Sequence, residues 1–197
     1  TLTQFLLARE TSESLKKEIA LIMADIAAIG KYISREVNRA GVADIRGSFG
    51  TTNVQGEEVQ KLDEYANSLC IQYLAETGHF AALASEEEEG VVPLNPKAEY
   101  VIAFDPLDGS SNIDVAVSIG TIFSIHRVLA KYDPCDEHQF LQTGKTQVLA
   151  GYLLYGSSTV MVFSSGNGVH EFTLDPTLGE YLLTNEHMRI GEKCGIY

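Results

Sequence analysis

The 197-residue sequence has no apolar run approaching the ~20 residues that a membrane-spanning helix needs. Its first residues also lack the charged-then-apolar plan of a secretory signal, so the expected location is the cytoplasm, away from membranes. Basic residues are scarce: 14 Lys and Arg stand against 27 Asp and Glu, for a formal net charge of −13. The basic footprint that nucleic-acid binding requires is missing, and no nucleic-acid partner is expected. Cysteine is scarce too. The three present, Cys70, Cys135 and Cys194, lie far apart and form no C-x-x-C pair. That argues against a disulfide framework and a cysteine-rich zinc site, and for reduced thiols. Internal repeats and low-complexity tracts are absent.

What is there suffices for a core, with 45% of residues hydrophobic. Leu15, Ile19, Ile22, Met23, Ile26, Ile33 and Val37 recur at three- and four-residue steps, which predicts an amphipathic helix over 13–39. Ser12 to Ser14 offer its N-cap and Gly41 its exit. Residues 44–56 hold three glycines and read as a long loop. A second helix is predicted over 57–76, with Val59, Leu62, Ala66, Leu69, Cys70 and Tyr73 on one face. Apolar runs at 80–84, 100–104, 119–130, 147–155, 158–164, 169–174 and 180–184, separated by turn residues, read as strands. Residues 131–146 form a polar excursion. The expected fold is α/β: a layered sandwich of two long N-terminal helices on a mixed, largely antiparallel sheet, in one domain over 1–197.

The first two of those strands end in acid. One offers Glu86 and Glu87 at its carboxyl end, the other Asp105 and Asp108, with Asp114 further on. Ligands of open α/β sheets gather at such ends. Hard divalent cations take carboxylate oxygens and leave positions for water and phosphate, and an acidic chain that handles an anion needs such cations to offset repulsion. Pro106 disfavours a continued ladder, so a turn is expected after Asp105, aiming Asp105, the Leu107 carbonyl and Asp108 at one point. Gly109, Ser110, Ser111 and Asn112 then suit a helix start whose free N–H groups would cradle phosphate. Glu88 and Glu89 read as solvated charge. The acids at 105, 108 and 114 do not follow the alternation of a calcium-binding EF-hand.

With these residues in view, the chain resembles class I fructose-1,6-bisphosphatases, bacterial members above all, within the inositol-phosphatase-like superfamily. The resemblance rests on Thr52-Asn53-Val54-Gln55-Gly56, Lys61-Leu62-Asp63, Ser85-Glu86-Glu87 and the run Asp105 to Asp114 (DPLDGSSNID). Gly120-Thr121-Ile122-Phe123, Ala150-Gly151-Tyr152, Tyr155-Gly156-Ser157 and Asp175-Pro176 with Gly179 continue it in family order. It implies that Glu86, Asp105, the Leu107 carbonyl and Asp108 hold Mg²⁺, with Mn²⁺ as an alternative, and that Asp108, Gly109, Ser110 and Ser111 meet the substrate phosphate. It further implies that Asp63 and Glu87 orient or deprotonate the attacking water, and that Asn53 lies near the end of a mobile loop. The implied reaction is hydrolysis of the 1-phosphate of fructose 1,6-bisphosphate in gluconeogenesis, by an enzyme that is a homotetramer when full-length.

Family members run considerably longer than this chain, which therefore matches their N-terminal, metal-binding portion. Weak activity, or none, is expected of it alone. Glu99 stands where AMP-inhibited members carry a phosphate-binding lysine, and Leu15 to Ala20 lack the glycines of their AMP-binding turn. Both departures argue against AMP inhibition. Two other readings compete: a phosphatase for a related sugar bisphosphate, and a non-catalytic homologue binding metal or partner subunits.

Overall fold

The computed structural model describes the backbone of residues 1–11, 17–47, 54–110 and 117–192, and the side chains within them except at 10, 11, 40–47 and 54–61. Three helices lead: α1 (Leu2–Thr11), α2 (Lys17–Gly47) and α3 (Val54–Thr77). The strands follow: β1 (Phe80–Ser85), β2 (Val92–Pro93), β3 (Tyr100–Asp108), β4 (Ile119–Arg127), β5 (Leu149–Tyr155), β6 (Thr159–Ser164), β7 (His170–Asp175) and β8 (Glu180–Asn185). They form one eight-stranded sheet in the order β2-β1-β3-β4-β5-β6-β7-β8. Among the described residues only β1 and β3 pair in parallel, and every other pair is antiparallel. The layered α/β expectation holds.

The core lies between this sheet and the helices. Ile19, Ile22, Met23, Ile26 and Ile33 of α2, the stripe that the sequence marks out, are all buried. With Leu62, Ala66, Cys70 and Leu74 of α3 they pack on Ile102, Phe104, Phe123, Ile125 and Leu153 of the sheet. Each such aliphatic side chain contributes ~1.5–3 kcal/mol by leaving water. Gly30 sets how closely α2 can lie, because a Cβ there would collide with Leu153 and stand 2.9 Å from the Tyr181 hydroxyl. The opposite face of the sheet carries a cavity of about 650 Å³, lined by Ile122, Ser124, Ala150, Tyr152, Val162 and Ser164 among others. Among the described residues no helix is long and apolar enough to cross a membrane.

Several boundaries differ from expectation. The sequence predicts two leading helices, yet α1 precedes them, anchored by buried Leu2 and Leu6 at a four-residue step. Helix α2 does not exit at Gly41 but runs on to Gly47, at the ~1 kcal/mol that a helical glycine costs. It and α3 thereby take up both ends of the expected loop 44–56, whose centre lies outside the described residues. β4 stops at Arg127 rather than 130, because the Leu129 N–H donates to Gln139 Oε1 at 2.7 Å instead of to a strand. That buried glutamine organises the polar excursion, in which two short 3-10 turns, Glu137–Gln139 and Gly144–Thr146, stand.

The expected turn after Asp105 is also absent: β3 continues to Asp108. Asp105 faces Ile122 and Asp108 faces Gly120 across β4, so Pro106 and Leu107 together oppose Thr121. This is a β-bulge, where two residues stand against one and the ladder is locally interrupted. Pro106, with no N–H to offer, occupies the position where none is needed.

Candidate metal and phosphate site

The bulge decides which way the acids point. In an unbroken strand, Phe104 and Leu107 would face opposite sides of the sheet, since side chains alternate. Here both are buried in the helix-side core. The extra residue changes the parity, anchoring Leu107 inward while Asp105 is half-buried and Asp108 exposed. The Leu107 N–H donates to Asp105 Oδ1 at 3.0 Å, closing the bulge on itself. Gly109 follows at φ 79°, a conformation that L side chains rarely adopt.

The parallel partner supplies the next acids. β1 ends at Ser85, level with Phe104, and the Glu86 N–H donates to the Phe104 carbonyl at 3.1 Å. Glu86 and Glu87 thus emerge beside Asp105, and Glu86 and Asp105 also line the edge of the 650 Å³ cavity. The Ser85 hydroxyl donates to Asn67 Oδ1 at 2.7 Å and accepts the Glu87 N–H at 3.3 Å, fixing the exit of the chain. Asn67 belongs to α3, one helical turn after Asp63. Asp63 is thereby brought to the same end of the sheet.

Negative charge accumulates here. Burial is the main cause raising the pKa of Asp63, Glu87 and Asp105 above the ordinary carboxylate range. Asp63 is also repelled by Glu86, against the Ser110 hydroxyl that donates to it. Glu87 is repelled by Asp63, Glu86 and Asp105. Asp105 is repelled by Asp108, Glu86 and Asp63, against the Leu107 N–H. Among the described residues no ion pair reaches any of these five carboxylates. Asp63 Oδ1 is buried without a hydrogen-bond partner. An oxygen-rich cluster lacking counter-charge, with an orphaned carboxylate oxygen, has the donor chemistry of a hard divalent cation. The fit is one of chemistry rather than of a closed coordination shell. Among the described residues no three His, Cys, Asp or Glu side chains already stand close enough to hold an ion.

The structure therefore brings Asp63, Glu86, Glu87, Asp105, Leu107, Asp108, Gly109 and Ser110 to one end of the sheet. Asn53, Ser111 and Asp114 lie outside the described residues. Sequence reasoning missed Asn67, whose Nδ2 donates to Glu88 Oε1 at 2.8 Å. Glu88 is exposed, as a solvated run implies, and accepts this bond as well. The signal was the spacing of Asp63 and Asn67, which places both on one helix face. Glu99 pairs with Arg127 at 2.9 Å, and Tyr100 is a buried strand residue. Cys70 is buried, which pushes its thiol up to about 12, and Cys135 is exposed.

The chain is similar to known proteins over most of its length. The family model described as "Fructose-1-6-bisphosphatase, N-terminal domain" matches residues 1–186. A class 1 fructose-1,6-bisphosphatase of Sulfurihydrogenibium sp. is 60% identical over 169 residues, 85% of this chain and 51% of its own length. One from Chlorobium phaeobacteroides is 54% identical over 175 residues, 87% of this chain and 52% of its own. The solved structure of Leishmania major fructose-1,6-bisphosphatase in holo form is 34% identical with a TM-score of 0.80, over 98% of this chain and 60% of that one. Its apo form gives 0.81 at the same identity. The chain spans about half the length of the curated relatives it matches. It belongs to the fructose-1,6-bisphosphatase family.

Proposed function

We propose that this chain is the metal-binding, phosphate-cleaving domain of an enzyme that hydrolyses the 1-phosphate of fructose 1,6-bisphosphate, yielding fructose 6-phosphate. The observation that carries this reading is the meeting of Asp63 of α3, Glu86 and Glu87 just past β1, and Asp105 and Asp108 of β3, with no basic side chain paired to them among the described residues. Glu86, Asp105, the Leu107 carbonyl and Asp108 would hold Mg²⁺, or Mn²⁺ in its place. When bound, such an ion neutralises phosphate charge and lowers the pKa of the attacking water.

The protein's own residues supply the rest. Asp63 and Glu87, with pKa values raised by burial, are better proton acceptors than free carboxylates. Either can orient the water and receive its proton as it attacks phosphorus. Asp63 keeps one oxygen without another partner for that task. Gly109, Ser110 and Ser111 offer backbone N–H donors, and Ser111 a hydroxyl, to the phosphate oxygens. Positioning and charge neutralisation, rather than covalent chemistry, supply most of the acceleration in phosphoryl transfer. The same reading makes the full-length protein a cytoplasmic homotetramer serving gluconeogenesis, which family membership supports.

The test is phosphate release from fructose 1,6-bisphosphate by the full-length protein that carries this chain, with and without Mg²⁺. Asp108→Asn abolishes Mg²⁺-dependent release while the thermal transition persists. Near-normal turnover in that variant overturns the reading.

A further inference from the structure

The bulge in β3 has a support that its own strand does not provide. The Thr121 hydroxyl donates to the Pro106 carbonyl at 2.9 Å, in a buried position. A threonine hydroxyl has one hydrogen, and Pro106 takes it. The 2.7 Å contact between Thr121 Oγ1 and the Tyr155 hydroxyl is therefore a bond that Tyr155 donates. Thr121 pairs with Leu153 across β5, so Tyr155 is its diagonal neighbour on the helix-side face. The result is a three-link chain: Tyr155 of β5 holds Thr121 of β4, and Thr121 holds the Pro106 carbonyl of β3. That carbonyl sits between the two acids of the bulge, at the point where the interrupted ladder leaves it short of a strand partner. Both supporting side chains are buried, at 6% and 3% exposure, so water does not compete for the bonds.

We propose that Thr121 and Tyr155 are positioning residues for the acidic bulge, setting the direction in which Asp105, the Leu107 carbonyl and Asp108 face. Neither touches phosphate or ion; both act through Pro106. The inference rests on the metal reading above and deepens it. Loss of such supporting bonds typically costs 10–100-fold in metal affinity.

The experiment titrates Mn²⁺ into the full-length protein that carries this chain, following the free ion by electron paramagnetic resonance, with amide hydrogen exchange of Leu107 and Asp108 measured in metal-free buffer. Thr121→Val weakens Mn²⁺ binding at least ~10-fold and speeds exchange at Leu107. Thr121→Ser keeps the hydroxyl and restores both to within about threefold. Tyr155→Phe removes only the outer link and gives an intermediate loss. Thr159→Val is the control for general destabilisation: it breaks a buried hydroxyl contact with Ser34, 2.6 Å long, on the same sheet but not on the bulge. It lowers the melting temperature and leaves Mn²⁺ affinity unchanged. Wild-type affinity in both Thr121→Val and Tyr155→Phe, with loss in Asp108→Asn, overturns the positioning role and leaves the metal reading standing. Binding that survives Asp108→Asn, or is absent from the wild type, overturns the metal reading and the positioning role with it.

Discussion

The backbone N–H of Glu86 donates to the carbonyl of Phe104 at 3.1 Å, one residue beyond the last paired position of β1. This bond carries the parallel ladder just far enough to hold Glu86 beside Asp105. Two parallel strands present their carboxyl ends at the same edge, so their terminal acids accumulate there. The antiparallel neighbour β4 brings the start of its chain to that edge, and what it contributes is Gly120 opposite Asp108. The single parallel pair in an otherwise antiparallel sheet is thus what concentrates the acids.

That concentration has a pH signature. Burial, then Glu86, raise the pKa of Asp63 against the Ser110 bond. An acid whose folded pKa is raised contributes stability below its unfolded pKa and loses it as pH rises through its folded pKa. Asp63→Asn therefore melts higher than the wild type at pH ~7 in EDTA, and the gain vanishes below pH ~4, the ordinary aspartate range. Mg²⁺ narrows the gain at neutral pH. Scanning fluorimetry at both pH values, with EDTA and with Mg²⁺, reads all of this. An Asn variant that melts lower than the wild type at neutral pH in EDTA would sink the repulsion argument.

Asn67 carries two bonds at once, accepting from Ser85 and donating to Glu88. Asn67→Ala strands a buried Ser85 hydroxyl, which costs ~1–3 kcal/mol. Glu88→Gln keeps an acceptor for the same amide and costs less than ~0.5 kcal/mol, as surface substitutions usually do. Urea denaturation of the two variants separates them, and equal losses would mean that Ser85 finds another partner.

The sheet was legible because its apolar runs are short and cleanly interrupted, and the site because two of those runs end in acid. What escaped was set by tertiary contact. Helix α1 has Phe5, Leu6 and Leu7 in succession, which shows no clear helical stripe, and Leu7 is indeed 57% exposed. Helix α2 runs past Gly41 although that glycine reads as an exit. Pro106 was read as a strand terminator, a sound local inference. A bulge answers the same constraint without ending the strand, and only the pairing with β4 distinguishes the two. Asn67 stayed hidden because a lone asparagine on a helix has no signature until its strand partner is known.

Gly120 faces Asp108 across the sheet, and a Cβ there would collide with the Leu153 carbonyl of β5. The obstacle is backbone, so a side-chain rotation cannot relieve it. Gly120→Ala must push β4 from β5, at a cost of about 1–3 kcal/mol. The shift moves the partner of Asp108, so divalent-cation affinity falls along with stability. Gly90→Ala is the control, since nothing lies within 4 Å of a Cβ there. Calorimetric melting and Mn²⁺ titration of both variants test the coupling, and a stable Gly120→Ala chain would refute it.

Among the contacts that hold helix α1 to the sheet and its exit, two are of unequal worth. The Phe5 ring lies 5.3 Å from Phe172, 6.2 Å from Phe163 and 4.8 Å from His170, centroid to centroid. Arg9 reaches Glu186 at 2.9 Å, with side-chain exposures of 28% and 51%. Burial of an aromatic ring and its edge contacts outweighs a solvent-screened ion pair. Phe5→Ala is expected to cost roughly 2–3 kcal/mol, below the 3–5 of a fully buried ring. Glu186→Gln, which removes the charge from the pair, is expected to cost under ~1 kcal/mol. Raising salt to about 1 M, where the screening length falls to ~3 Å, erases most of the Glu186→Gln difference and leaves that of Phe5→Ala intact. Urea melts of the two variants at low and high salt decide the matter. A Glu186→Gln loss as large as that of Phe5→Ala would show that charge, not the aromatic contact, docks the helix.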